Sequence, residues 1–383
     1  MTALQADVQA RARALAAELL APRAAELDAT GRFPVDAFAA LAARGLMAIT
    51  APAAHGGLAG DTVALVLALR EVARACPSTA VGMSVTNMVA ETIARFGAEP
   101  LQALAIPKLA SGEAITGSFC LSEPGAGSDA AALRATARRD GDHYVLDGTK
   151  QWITSGAFSK IFIVMARTAD LASGHRGISA FVVEACAPGL SVAKAEEKTG
   201  LCGSNTVPIV LEGCRVPAAS RLAEEGAGFR IAMTALDGGR ITIGAMANGI
   251  ARAALDAVVA HLRGAAPGVT RAAAMQTLGR LEGELRAAEL LVTRAARLKA
   301  AASRGGAKRF TREAAMAKLH ATENAKRVTM AAVELLGPRG LDGRRAVERL
   351  MRDARVTTIF EGTSEIQRLV LARDTVARLS GEG

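Results

Sequence analysis

The hydrophobic period changes twice along this 383-residue chain, and those two changes restrict the fold more than any single motif. Up to about residue 112, apolar residues recur at helical spacing. Leu15, Leu19 and Leu27 mark a first helix interrupted by Pro22, which has no amide proton and whose ring crowds the preceding turn. Pro34 starts a second helix, ended near Gly45. Asp61 caps an apolar helix running to Cys76. Pro77-Ser78 opens another that closes at Gly97, and Glu99-Pro100 opens one more. From about residue 114 to residue 217 the period falls to two. Asp140-Gly141 is a hairpin turn between strands at 133–137 and 143–146, and 161–166, 178–184 and 207–211 are β-rich runs. From about Glu224 the helical period returns in long segments at 225–263, 270–304, 311–336, 344–355 and 363–380, joined by short loops, as in a bundle. The order predicts an α+β multidomain chain: an N-terminal α-helical domain (1–112), a central β domain (113–223) and a C-terminal helical bundle (224–383). No G-x-G-x-x-G follows a strand, so a dinucleotide-binding parallel sheet is not expected.

Composition removes several function classes. No run approaches the roughly 20 apolar residues of a membrane span, so a soluble protein without membrane insertion is expected. One Trp, one Tyr and ten Phe leave little for stacking on bases, and no added nucleic-acid-binding domain is visible. The 46 Lys+Arg exceed the 37 Asp+Glu by nine, and the surplus lies wholly in residues 236–383. The five cysteines (Cys76, Cys120, Cys186, Cys202, Cys214) form no C-x-x-C pair. A reduced intracellular setting with cysteines acting as small hydrophobes is the better reading. The N-terminus carries Asp7 early and no secretory layout. A cytoplasmic protein is expected, or a mitochondrial-matrix one in a eukaryote.

Three stretches carry chemistry. Phe119-Cys120-Leu121-Ser122-Glu123-Pro124-Gly125-Ala126-Gly127-Ser128-Asp129 ends a strand in a Gly-rich loop whose backbone N–H groups and hydroxyls suit the polar edge of a flat heterocycle or a ligand carbonyl. Gly148-Thr149-Lys150-Gln151-Trp152-Ile153-Thr154-Ser155-Gly156 contains the only Trp, either a core anchor or part of a ligand site. Arg355-Val356-Thr357-Thr358-Ile359-Phe360-Glu361-Gly362-Thr363-Ser364-Glu365 places a Glu after two large apolar residues and before a Thr able to cap the last helix. There the carboxylate is either partly desolvated, with its pKa raised toward that of a general base, or satisfied by the helix dipole.

These stretches, in this order, resemble the acyl-CoA dehydrogenase family of FAD-dependent flavoproteins over nearly the whole chain. So do Glu71-Val72-Ala73-Arg74-Ala75-Cys76, Lys198-Thr199-Gly200 with Ser204-Asn205-Thr206, and Leu236-Asp237-Gly238-Gly239-Arg240. The resemblance implies an N-terminal α domain, a barrel-like or sandwich β domain and a C-terminal four-helix bundle, assembled as a homotetramer. It implies that Phe119, Leu121, Ser122, Trp152, Ile153, Thr154, Thr363 and Glu365 hold FAD. Ser128, Asp237, Arg240 and Gly362 would contact the acyl-CoA. Glu361 would be the catalytic base. The base removes the α proton of the thioester, the enolate oxygen meets a flavin ribityl hydroxyl and the Glu361 N–H, and the β hydrogen leaves as hydride to flavin N5. The product is a trans-2-enoyl-CoA, with electrons passed to an electron-transfer flavoprotein in fatty-acid or branched-chain amino-acid catabolism. Some members carry their base on the central helix, at the position that here is Gly239, so Glu361 is the candidate.

Two positions depart from the family pattern. An Arg-x-x-Phe-Gly box that meets the FAD diphosphate is replaced by His261-Leu262-Arg263-Gly264-Ala265-Ala266-Pro267. A usual Gln is Glu334, before Gly337-Pro338, where Arg339 or Arg344 could offset its charge. An acyl-CoA oxidase or acyl-carrier-protein dehydrogenase on the same fold is an alternative, as is a flavin-poor binding protein.

Overall fold

The structure is a computed structural model and describes residues 1–264, 269–305, 309–342 and 346–380. Thr2 and Gln5 close a capping box at the start of α1 (Ala3–Leu15). The ladder then loosens into a π turn over Ala16–Leu20 and a tighter turn over Ala21–Arg23, where Pro22 sits, before α2 (Ala24–Thr30) ends at left-handed Gly31. Pro34 stands at the N-cap of α3 (Val35–Ala43) rather than inside its first turn. Asp61 caps α4 (Thr62–Ala75) by accepting from the Ala64 amide. The helices α5 (Pro77–Phe96) and α6 (Glu99–Ser111) begin at their prolines as expected.

Among the described residues, eight strands then form one mixed sheet: β1 (Thr116–Cys120), β2 (Thr136–Asp140), β3 (His143–Thr154), β4 (Ser159–Arg167), β5 (Ile178–Glu184), β6 (Leu190–Val192), β7 (Thr206–Pro217) and β8 (Arg221–Leu222). The order is β6-β7-β3-β2-β4-β5-β8, with β1 parallel to β4. The β2–β3 hairpin turns at Gly141, but β2 begins at Thr136 rather than at residue 133. The amides of Arg134 and Ala135 are taken by the Glu123 carboxylate, so they are lost to the ladder.

The C-terminal helices are α7 (Gly228–Arg263), α8 (Val269–Ser303), α9 (Thr311–Leu336), α10 (Ala346–Thr357) and α11 (Ser364–Leu379). At 36 residues, α7 is about 54 Å long. It is long and apolar enough to cross a membrane by length and composition, yet 67% of its most apolar window is buried inside the protein. That extensive burial makes it the common element. Ile241 and Ile250 of α7 share a core with Leu69 and Val72 of α4 and Val328 of α9. Its first turn places Ile231 in a second core with Val89 and Ile93 of α5 and Ile163 and Val182 of the sheet. The opposite sheet face packs Tyr144, Phe162, Phe181 and Ile209. Of the five cysteines, all free, Cys76, Cys120 and Cys214 are buried as small hydrophobes, while Cys202 is partly buried and Cys186 is exposed.

A second junction lies at Arg352 on α10. Its guanidinium makes a bidentate pair with Asp28 of α2 (2.6 and 3.0 Å), binds Glu348 and donates to the Thr199 carbonyl (2.9 Å). The next residue, Asp353, accepts from the Leu201 amide at 2.6 Å, and burial pushes its pKa up to about 6. Between them Gly200 lies so close to α10 that a Cβ there would meet the Arg352 carbonyl oxygen at 2.3 Å. Arg352→Met, which leaves Asp28 partly buried and unpaired, is expected to cost about 3 kcal/mol, read as a lower denaturant midpoint. Gly200→Ala should also destabilise, because backbone rather than a flexible side chain must move.

Candidate active site

Glu361 stands in the turn between α10 and α11. Its backbone is left-handed (φ 55°), and so is that of Gly362 (φ 91°). The first is unusual for a residue with a Cβ and costs on the order of 1 kcal/mol, so the surroundings must hold it. The Gly362 carbonyl accepts from Lys318 Nζ (2.8 Å) and Gln367 Nε2 (2.9 Å), and the Ser364 amide returns to the Thr358 carbonyl (3.0 Å). Thr363 caps α11 by accepting from the Ile366 amide, and Ser364 Oγ donates to Glu323 (2.6 Å).

This turn aims the carboxylate at the bare backbone of α7. A Cβ on Gly239 would lie 1.6 Å from Glu361 Oε2, so any larger residue there competes for the same space. Oε2 is buried without a hydrogen-bond partner among the described residues, although the residue as a whole is half-buried. Loss of water raises the Glu361 pKa to about 7, with Lys318, Arg240 and Lys299 pulling it back. Burial lowers Lys318 to about 8, against the attraction of Glu361. The helix-dipole reading is therefore displaced: the carboxylate faces a helix side, and desolvation sets its proton affinity.

One turn of α7 brings Asp237 and Arg240 together at 2.6 Å, and Asp237 also accepts from Thr311 Oγ1 at 2.5 Å. Burial raises the Asp237 pKa. This is an internal pair, not a surface one, and Arg240 Nε is buried without a hydrogen-bond partner among the described residues.

The other two stretches meet at the sheet. The Gln151 amide donates to the Ser122 carbonyl (2.8 Å), and Lys150 Nζ bridges the Leu121 carbonyl (3.3 Å) and Glu123 (2.7 Å). Phe119, Leu121 and Ser122 thus lie beside Trp152, Ile153 and Thr154. Ile153 and Leu121 are buried, whereas Trp152 is 55% exposed with left-handed backbone (φ 59°), which excludes a core anchor. A Cβ on Gly127 would sit 3.6 Å from the indole, so the loop borders the exposed ring. Ser128 at the loop end and Glu365 on α11 are exposed. The turn after Trp152 touches α5: Ser155 Oγ would lie 3.2 Å from a Cβ on Gly82, and two residues on, Ser84 bonds Thr242 of α7 at 2.8 Å. In this way α5 links the sheet stretches to the helix that Glu361 faces. At the altered positions, Arg263, Glu334 and Arg339 are exposed, while Ala265, Ala266, Pro267 and Arg344 lie outside the described residues.

Sequence reasoning missed three buried lysines. Lys318, Lys299 and Lys150 each sit at a polar contact near the site, and the first two carried a signal: they fall on alanine-lined helix faces (Ala314 and Ala321; Ala295, Ala296 and Ala302) where a solvated charge is not expected.

Residues 2–113, 118–214 and 226–376 match the N-terminal, middle and C-terminal domains of acyl-CoA dehydrogenases. The mitochondrial short-chain specific acyl-CoA dehydrogenase of Bos taurus is 43% identical over 94% of this chain and 87% of its own. The probable acyl-CoA dehydrogenase YngJ of Bacillus subtilis is 40% identical over 97% and 98%. The butyryl-CoA dehydrogenase of Megasphaera elsdenii superposes with a TM-score of 0.93 at 34% identity, over 98% of this chain and 99% of its own.

A carboxyl whose pKa is raised by folding binds its proton more tightly in the native state. Native stability is then lost as pH rises from the ordinary Glu range through about 7. Glu361→Gln should be more stable than the wild type at pH 8, by on the order of 3 kcal/mol, with the gap closing toward pH 5 in paired melting curves.

Proposed function

The chain belongs to the acyl-CoA dehydrogenase family, an oxidoreductase family acting on CH–CH bonds, and from that premise we propose that Glu361 removes the α proton of a short-chain acyl-CoA, giving a trans-2-enoyl-CoA. One observation carries the assignment: the desolvated Glu361 carboxylate, with Oε2 unpartnered among the described residues, set against a helix that offers no side chain at Gly239. A base of pKa near 7 is half deprotonated at neutral pH and still strong enough to accept a proton.

The chain's own residues divide the work. Lys318 holds the Gly362 carbonyl and so fixes the left-handed turn that aims the base. Arg240 and Asp237, with Ser128 and Gly362, are the substrate contacts. The Glu361 N–H, in the same turn, is a donor for the thioester oxygen as negative charge develops there. FAD fits the sheet stretches: an exposed indole in strained backbone beside a Gly-rich loop is a large apolar face left uncovered by protein. Phe119, Leu121, Ser122, Trp152, Ile153 and Thr154 would hold the ring system, with Thr363 and Glu365 from the base's own loop. When bound, FAD supplies the acceptor for the β hydrogen. An electron-transfer flavoprotein is the expected electron acceptor. Exposed apolar side chains on the bundle, Leu290 of α8 and Leu369 and Val376 of α11, support assembly into a homotetramer.

Purified holoenzyme should be yellow and lose its visible absorbance anaerobically on adding butyryl-CoA. Glu361→Gln should slow that bleaching by about a thousandfold or more while still binding FAD; bleaching at the wild-type rate would remove Glu361 as the base. In the wild type, kcat/KM should rise with pH through about 7, as Glu361 loses its proton.

A further inference from the structure

Gly238 and Gly239 form a notch in α7 with a charged group on each side. Gly239 faces the Glu361 carboxylate, and a Cβ on Gly238 would lie 2.7 Å from Lys299 Nζ of α8. That ammonium is paired with Glu91 of α5 at 2.7 Å, and the two side chains are only 5% and 24% exposed. Lys299 also helps to hold down the Glu361 pKa, while Glu91 makes no contact with the base.

Both line a narrow slot of about 20 Å³ that Gly239 also lines. Its other walls include Met88 and Thr92 of α5 and Ala235 and Thr242 of α7. The slot shares Gly239 with the base, so it lies within reach of an alkyl chain attached to the reacting carbons. Burying methylenes there is favourable only where the wall is apolar. A chain long enough to press on the Glu91–Lys299 pair would strip its remaining solvent or part its two charges, and both are costly.

We propose that the Glu91–Lys299 ion pair is the specificity-determining wall of the acyl pocket, admitting short acyl groups and rejecting longer ones. This rests on the dehydrogenase reading above and names the side chains that set its substrate range.

The test compares FAD-loaded wild type with Glu91→Leu/Lys299→Met, scoring kcat/KM for butyryl-, hexanoyl-, octanoyl- and glutaryl-CoA by anaerobic flavin bleaching. Wild type should favour butyryl- over octanoyl-CoA by at least about tenfold, and the apolar pair should shift that ratio toward octanoyl-CoA by about tenfold or more. If the double variant does not fold, Glu91→Gln/Lys299→Met removes both charges with less change of shape and should shift the ratio in the same direction. Equal use of butyryl- and octanoyl-CoA by wild type would overturn the proposal. So would an unchanged ratio in a folded, yellow variant, even one whose pH midpoint had moved. A wild-type preference for glutaryl-CoA would overturn it too, because Lys299 would then be serving a substrate carboxylate. Bleaching by none of the thioesters would instead remove the dehydrogenase reading and the wall with it.

Discussion

The contact between the Glu361 carboxylate and the uncovered backbone of α7 is the constraint on which the arrangement turns. An acid can be kept dry and partly unpaired only if the helix beside it is itself sealed from water and if nearby cations limit the penalty. Both conditions require the whole chain. α4, α5 and α9 bury α7, and Lys318, Lys299 and Arg240 come from three different helices. The turn holding Glu361 is unfavourable on its own and persists because Lys318 and Gln367 both bond the next carbonyl.

The same helix explains why three stretches of different architecture behave as one structure. The first turns of α7 pack on the sheet and its middle packs on the N-terminal helices, so neither partner can shift without disturbing the face that Glu361 meets. The Arg352–Asp28 junction repeats this at the other end, where the loop at Gly200 is pressed between α2 and α10. Polar side chains supply specificity at both places, while apolar burial supplies most of the cohesion.

Much of this was legible in the residues. Helix bounds followed the punctuation closely because Asp61, Pro77, Pro100 and Thr363 act locally, through caps and fixed dihedrals. The sheet was harder. The parallel partnership of β1 with β4 joins residues about forty apart, and no local pattern encodes it. The start of β2 was misplaced because Glu123, eleven and twelve residues upstream, captures the amides that would have extended it. At the site, Glu361 could be singled out from its apolar neighbours, but its company could not. Lys299 and Glu91 lie 208 positions apart and meet only in the folded chain. The close approaches at Gly238 and Gly239 likewise arise only from tertiary packing, since a glycine pair inside a helix reads first as a weakness of that helix.

Trp152 has a consequence outside catalysis. It is the chain's single indole, it is more than half exposed, and it stands on the rim of the sheet stretches that fit a flavin. All tryptophan emission from this protein therefore originates at one point, beside the cofactor cradle. The unaltered chain carries its own optical gauge of occupancy: an aromatic acceptor stacked nearby would quench it, and emptying the cradle would restore it, without any label being introduced.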